Sequence, residues 1–195
     1  ADEQWDVYDI DRRALGKTHP RGVPLPAGEY HLIVLVMLQN ERGEFLVTRR
    51  APNKGFPNMW EFTGGSGVAG EDSLTSAHRE LSEETGINCP PEELIFLGTL
   101  REPSAFMDCY LCRLDGVGED TPITLQEWET VDSKWVTFCE LETMIHKGLI
   151  PPPCAMRYGL VKAKLTEIIG GDAWLQPDAE EVSTLENTPK EASHE

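Results

Sequence analysis

The chain has 195 residues, enough for one domain with extensions and for a sizeable buried core. Hydrophobic residues make up 39% and charged residues 26%, as in ordinary globular proteins, and no apolar run approaches the roughly eighteen residues a membrane span needs. The formal net charge of −17 repels nucleic-acid backbones, so no nucleic-acid partner is expected, and without such an apolar run no membrane partner either.

The start, Ala1-Asp2-Glu3-Gln4-Trp5-Asp6, is acidic and lacks a signal peptide's basic and apolar regions, which points to a cytoplasmic protein. Residues 1–30 read as an N-terminal extension. Trp5–Ile10 alternates apolar and polar like a short strand, Leu15–Thr18 suits its hairpin partner, and Pro20, Pro24, Pro26 and Gly28 make a stiff connector. The main domain spans 31–171. His31–Leu38 and Glu44–Arg50 are strands joined by the turn residues Asn40-Glu41-Arg42-Gly43. Ala51–Trp60, rich in Pro, Asn and Gly, reads as a loop, and glycines 64, 65, 67 and 70 mark another.

A helix is expected over Ser73–Glu84, capped by Asp72 or Ser73, striped by Leu74, Ala77 and Leu81, and stopped by Gly86. Residues 94–101, 106–114, 122–126 and 133–138 read as further strands. Cys139–Lys147 reads as a short helix, and 154–169 as a last helix with an apolar face of Leu160, Val161, Leu165 and Ile168. Residues 172–195 form an acidic segment with few large apolar side chains, expected to be a disordered tail. The sum is a mixed α/β (α+β) domain in which strands outnumber helices.

Five cysteines, at 89, 109, 112, 139 and 154, form no secreted disulfide framework by count or spacing. Cys109 and Cys112 lie three apart on one strand, so they point to opposite faces, and no second C-x-x-C completes a zinc site. Buried, unbridged thiols are the expectation.

Chemistry concentrates on Arg79-Glu80-Leu81-Ser82-Glu83-Glu84. At about 100° per residue, Glu80, Glu83 and Glu84 share an arc of about 100° beside the apolar stripe. Like charges at these spacings destabilise a helix by roughly 0.2–0.5 kcal/mol per pair. A solvated acidic face tolerates this. A hard divalent cation such as Mg²⁺ or Mn²⁺ relieves it, and also lets an acidic protein hold a phosphate-bearing substrate.

The surroundings favour the second reading. Gly65, Glu71, Arg79-Glu80-Leu81, Glu83-Glu84 and Gly86-Ile87 fill every fixed position of G-x5-E-x7-R-E-U-x-E-E-x-G-U, where U is a bulky aliphatic residue. The chain thereby resembles the Nudix hydrolases. Arg49-Arg50, Pro57–Trp60 and Gly64-Gly65 before the box, and Lys134-Trp135-Val136 and Glu140-Leu141-Glu142 after it, extend the resemblance over roughly residues 5–170. It implies an α/β/α sandwich with a mixed sheet, in which the box is a loop–helix–loop. It further implies metal ligation by Glu80, Glu83, Glu84 and the Gly65 carbonyl, with Arg79 orienting the glutamates and Glu71 supporting the loop. The reaction implied is attack of a metal-activated water on a diphosphate linkage, in a nucleoside diphosphate joined to a group X. Homodimers are common in the family.

Two roles stay open. The general base is Glu129, with Glu127 or a box glutamate as alternatives. Of Arg49 and Arg50, adjacent on a strand, only one can face a bound phosphate. The N-terminal half is also similar to the isopentenyl-diphosphate isomerase branch, through Trp5–Asp9, Thr18-His19, Tyr30–Leu32 and Val47–Ala51. In that branch His19 and His31 would help bind a metal, whereas a histidine beside an apolar strand is more often structural. The isomerases carry a catalytic Cys and a metal-binding His before the box. Here Glu61-Phe62-Thr63-Gly64-Gly65-Ser66 holds neither, so a hydrolase on an isomerase-like frame is expected. A non-catalytic Nudix-like binding module is the remaining alternative.

Overall fold

The computed structural model describes residues 2–169; the expected tail over 172–195 lies outside them. The N-terminal extension is a two-stranded antiparallel hairpin of β1 (Gln4–Tyr8) and β2 (Ala14–Pro20). Its turn is docked by Arg12, whose guanidinium donates to both carboxylate oxygens of the buried Asp108.

The main sheet has seven strands. These are β3 (His31–Asn40), β4 (Phe45–Arg50), β5 (Trp60–Glu61), β6 (Thr63–Ser66), β7 (Leu94–Arg101), β8 (Ala105–Leu114) and β9 (Thr130–Val136). The path runs β5-β4-β3-β8-β7, with β6 on β3 and β9 on β4. β3 and β8 pair in parallel along ten residues; the other pairs are antiparallel. β3 is the centre because both its faces are apolar. Val34, Val36 and Leu38 pack with Ala77 and Leu81 of α1 (Ser73–Thr85). Leu35 and Met37 pack on the other face with Leu141 of α2 (Phe138–His146) and Val161 and Leu165 of α3 (Pro152–Ile169). Each fully buried Leu or Val contributes about 1.5–3 kcal/mol. The result is the expected mixed-sheet α/β/α sandwich.

The helix signals act as expected. Asp72 caps α1 by accepting from the Thr75 N–H at 2.8 Å, and Gly86 ends it at φ 74, its N–H donating to Ser82. In α2, Thr137 and Glu140 form a reciprocal capping box.

Four expectations need correction. Residues 122–126 are not a strand: Pro122 removes a donor, and the Thr124 N–H bonds the Thr85 carbonyl at the end of α1 instead. Gly64 and Gly65 belong to strand β6 rather than a loop, because β6 runs so close to β3 that a Cβ on Gly64 would lie 2.7 Å from the Val34 carbonyl oxygen. Leu74 and Leu160 are exposed. Leu74 sits in the first turn of α1, one turn before the buried Ala77, and Leu160 lies about 100° around α3 from Val161. Cys112 is not a free thiol but bridges Cys89, which follows α1 on the same side of the sheet. Cys109 faces the other cluster, as strand alternation requires, and remains a thiol.

Candidate active site

The site forms where α1 crosses the β3–β6 pair. The buried side of α1 carries Ser76, Ala77, Glu80, Leu81 and Thr85, so Glu80 lies within the apolar stripe rather than beside it. What holds a carboxylate there is the strand beneath. Val34 of β3 opposes Gly65 of β6, and the Glu80 carboxylate occupies the space a Gly65 side chain would take.

Arg79 organises the group. Its Nε and Nη2 donate to the two oxygens of Glu71 at 2.7 and 3.0 Å. Its Nη1 donates to Glu80 at 3.0 Å and Glu83 at 3.1 Å, and Nη2 also reaches the Ser66 carbonyl. Glu71 accepts in addition from the Val68 N–H and the Ser76 hydroxyl. Burial raises the Glu71 pKa, but these donors, Arg79 first, outweigh it and hold the carboxyl below its ordinary value. The same partners raise the Arg79 pKa.

Glu80 and Glu84 shift the other way. Burial raises Glu80, against the opposing Arg79 charge, and Glu83 adds to the rise. Burial likewise raises Glu84 well above the usual carboxylate range, followed by repulsion from Glu80 and Glu61; the Gly64 N–H only partly offsets this. Two desolvated, mutually repelling carboxylates are costly in a folded protein unless a cation or proton joins them. Glu83 differs, with its side chain 48% exposed and tied to Arg79.

Glu84 and Gly65 open onto a cavity of about 200 Å³ that is also lined by Arg50, Lys54, Glu61 and Arg157. Arg50 is the arginine of the pair that faces this side: it donates to the Gly55 carbonyl at 2.6 Å and to Glu61 at 2.7 Å. Arg49 points to the opposite face, 5.8 Å from the Trp60 ring centroid, where Lys134 also stacks. Glu129, half-exposed, forms an ion pair with Lys54, which draws it to the cavity rim; Glu127 is exposed. Burial, then the Arg50 charge, lowers the Lys54 pKa.

The two histidines stand apart from this group. His31 is buried and stacked on Trp5 at 3.8 Å, with no hydrogen-bond partner on Nδ1. His19 is exposed, with Nε2 2.9 Å from the Val23 carbonyl oxygen. Lys54, Glu61 and Arg157 were not foreseen in the sequence, because each reaches the cavity from a different element and none belongs to a motif.

Residues 29–152 match the family model for the NUDIX domain, over half of the chain. An uncharacterized Nudix hydrolase of Listeria monocytogenes is 36% identical over 152 residues, covering 77% of this chain and 89% of that protein. Escherichia coli isopentenyl-diphosphate Delta-isomerase is 28% identical over 130 residues, covering 64% of this chain and 69% of that protein. Among solved structures, DR0079 from Deinococcus radiodurans superposes with a TM-score of 0.61 at 23% identity, covering 76% of this chain and 91% of that one, and so shares the fold. With its box running from the end of β6 through α1 to Ile87, and the family match covering all of it, the chain belongs to the Nudix hydrolase family.

Proposed function

We propose that this enzyme hydrolyses the diphosphate linkage of a nucleoside diphosphate joined to a group X, using Mg²⁺ or Mn²⁺. The observation that carries the reading is the buried Glu80 beside the half-buried Glu84, which lines a cavity that also holds Arg50, Lys54 and Arg157. Their donor set is all oxygen, and their like charges repel. Among the described residues no group of three or more His, Cys, Asp and Glu side chains is arranged to hold a metal ion, so the reading needs a site of fewer carboxylates completed by the Gly65 backbone and water. An open set of carboxylates suits Mg²⁺, which keeps several waters of its own. Glu80, Glu84 and the Gly65 backbone would hold the ion, with Glu83 at its exposed side. When bound, such an ion acidifies a water molecule and neutralises phosphate oxygens.

The chain's own residues supply the rest. Arg50 and Lys54 bind the phosphates by charge-assisted hydrogen bonds. Arg79 holds Glu80 and Glu83 in place from the far side and does not touch substrate. Glu129, kept at the rim by Lys54, takes the proton from the attacking water as the P–O bond to the leaving phosphate breaks. The group X lies beyond a cavity of about 200 Å³.

The test is a phosphate-release screen over nucleoside diphosphate derivatives with Mg²⁺ and Mn²⁺, run beside Glu83→Gln and Glu84→Gln. Turnover of at least one compound, lost in both variants, is expected. Inertness across the panel, or full metal-dependent turnover in both variants, would overturn the reading. Isopentenyl diphosphate belongs in the panel because Cys154, its thiol pushed up to about 11 by burial, lines the same cavity from α3. Formation of dimethylallyl diphosphate would replace hydrolysis with isomerisation.

A further inference from the structure

The chain carries 34 acidic and 17 basic residues, yet Arg50, Lys54 and Arg157 converge on one cavity. Two of them come from β4 and the loop after it, within the matched NUDIX segment. Arg157 does not: it lies on α3, beyond residue 152 where the match ends.

Arg157 is held from behind. Its Nε and Nη2 donate to Glu102, with contacts of 3.1, 2.5 and 2.9 Å, leaving the Nη1 amino group outside that pair. Glu102 sits in the tight turn between β7 and β8, where its N–H donates to the Ala105 carbonyl at 2.8 Å. The fork is therefore aimed by a rigid part of the sheet.

Docking of α3 does not explain this arrangement. Tyr158, Val161 and Leu165 already bury that helix in the core, and Glu142 ties Tyr158 and Lys162 to α2. A half-desolvated ion pair returns little net stability. Arg157 also hydrogen-bonds the Cys154 thiol in the same cavity, and a guanidinium so anchored through Glu102 is the form that recognises phosphate oxygens.

We infer that Arg157 is a substrate-binding residue, a third cationic contact for the diphosphate supplied by the C-terminal helix. The inference rests on the cavity being the substrate site proposed above. Within it, Arg157 binds ground state and transition state alike, so its loss is felt in KM.

The experiment uses the full chain with Mg²⁺ and the best panel substrate. In Arg157→Ala and Arg157→Gln, KM rises about tenfold or more while kcat stays within about twofold. Arg157→Lys recovers part of the loss, since a point charge survives without the fork. Calorimetric titration with inorganic pyrophosphate gives a second readout independent of turnover, and its affinity falls in parallel. Unchanged KM and unchanged pyrophosphate affinity in the neutral variants overturn the inference while leaving Glu84-dependent hydrolysis standing. A wild-type chain that hydrolyses nothing but binds pyrophosphate through Arg157 does the reverse. No pyrophosphate binding by the wild type overturns it too. Should Arg157→Ala melt well below the wild type, Arg157→Gln and Arg157→Lys carry the test.

Discussion

The Glu80 carboxylate fills the space that a β-carbon on Gly65 would occupy. Gly65→Ala must therefore push Glu80 away, although it changes no charge and no donor. Glu80 cannot yield freely, because it is buried and bonded to Arg79. The expected result is a loss of turnover of about 10²-fold, the scale of a 1 Å misplacement in an active site, together with weaker activation in a Mg²⁺ titration of the rate. Gly159→Ala is the control. It lies in α3 with open space at its Cβ, and should raise stability by about 0.5–1 kcal/mol at unchanged turnover. Equal turnover in both variants would remove the Gly65–Glu80 contact from the mechanism.

Arg79 links the loop glutamate Glu71 to the helix glutamates Glu80 and Glu83 through a single planar group. A lysine has the charge but cannot make these bonds at once. Arg79→Lys should cost about 1–3 kcal/mol of stability and lower activity. Glu71→Gln should cost a similar amount, since both Glu71 oxygens accept and the amide nitrogen would face one of these donors. Denaturant melts of both single variants and the double variant give the coupling. Strict additivity would show that the two residues stabilise the loop independently.

Much of this geometry was legible in the sequence because it is local. The caps, the spacing of Arg79, Glu80, Glu83 and Glu84, and the alternation within β3 are fixed by helix and strand periods. Two kinds of feature were not legible. Periodicity placed Glu80 beside the apolar stripe, but its burial depends on Gly65 leaving a gap, a relation between residues fifteen apart on different elements. The cations at 54 and 157 and the Cys89–Cys112 bridge are joined only by the tertiary fold. The segment 122–126 looked apolar enough for a strand, but its Thr124 N–H is committed to the end of α1.

Glu129 and Glu127 are two residues apart on one loop, but only Glu129 is held by a cavity lysine. Removing a general base lowers rate by roughly 10²–10⁴-fold. Glu129→Gln should therefore cut kcat by about that factor with little change in KM, while Glu127→Gln should leave both unchanged. The reverse ranking of the two variants would move the base to Glu127, and a silent pair would place it among the box glutamates.

His31 gives a pH dependence that concerns the fold rather than the chemistry. Burial against Trp5 lowers its pKa from 6.5 to about 4. Glu102 and Glu3 oppose the shift, while His19 and Arg21 reinforce it. Because the folded value lies below the unfolded one, the folded chain prefers the neutral ring. Its contribution is fully present above the unfolded value of 6.5, and is lost as pH falls from there towards 4. His31→Phe keeps the stack on Trp5 and removes both the titration and the unpartnered Nδ1. Carboxylates titrate in the same window, so the informative quantity is the difference in Tm between wild type and variant. That difference should move in favour of the variant by several degrees between pH 7 and pH 4.5, at about 2–4 °C per kcal/mol for a domain of this size. Parallel melting curves across the window would mean that His31 is not buried in the neutral form in solution.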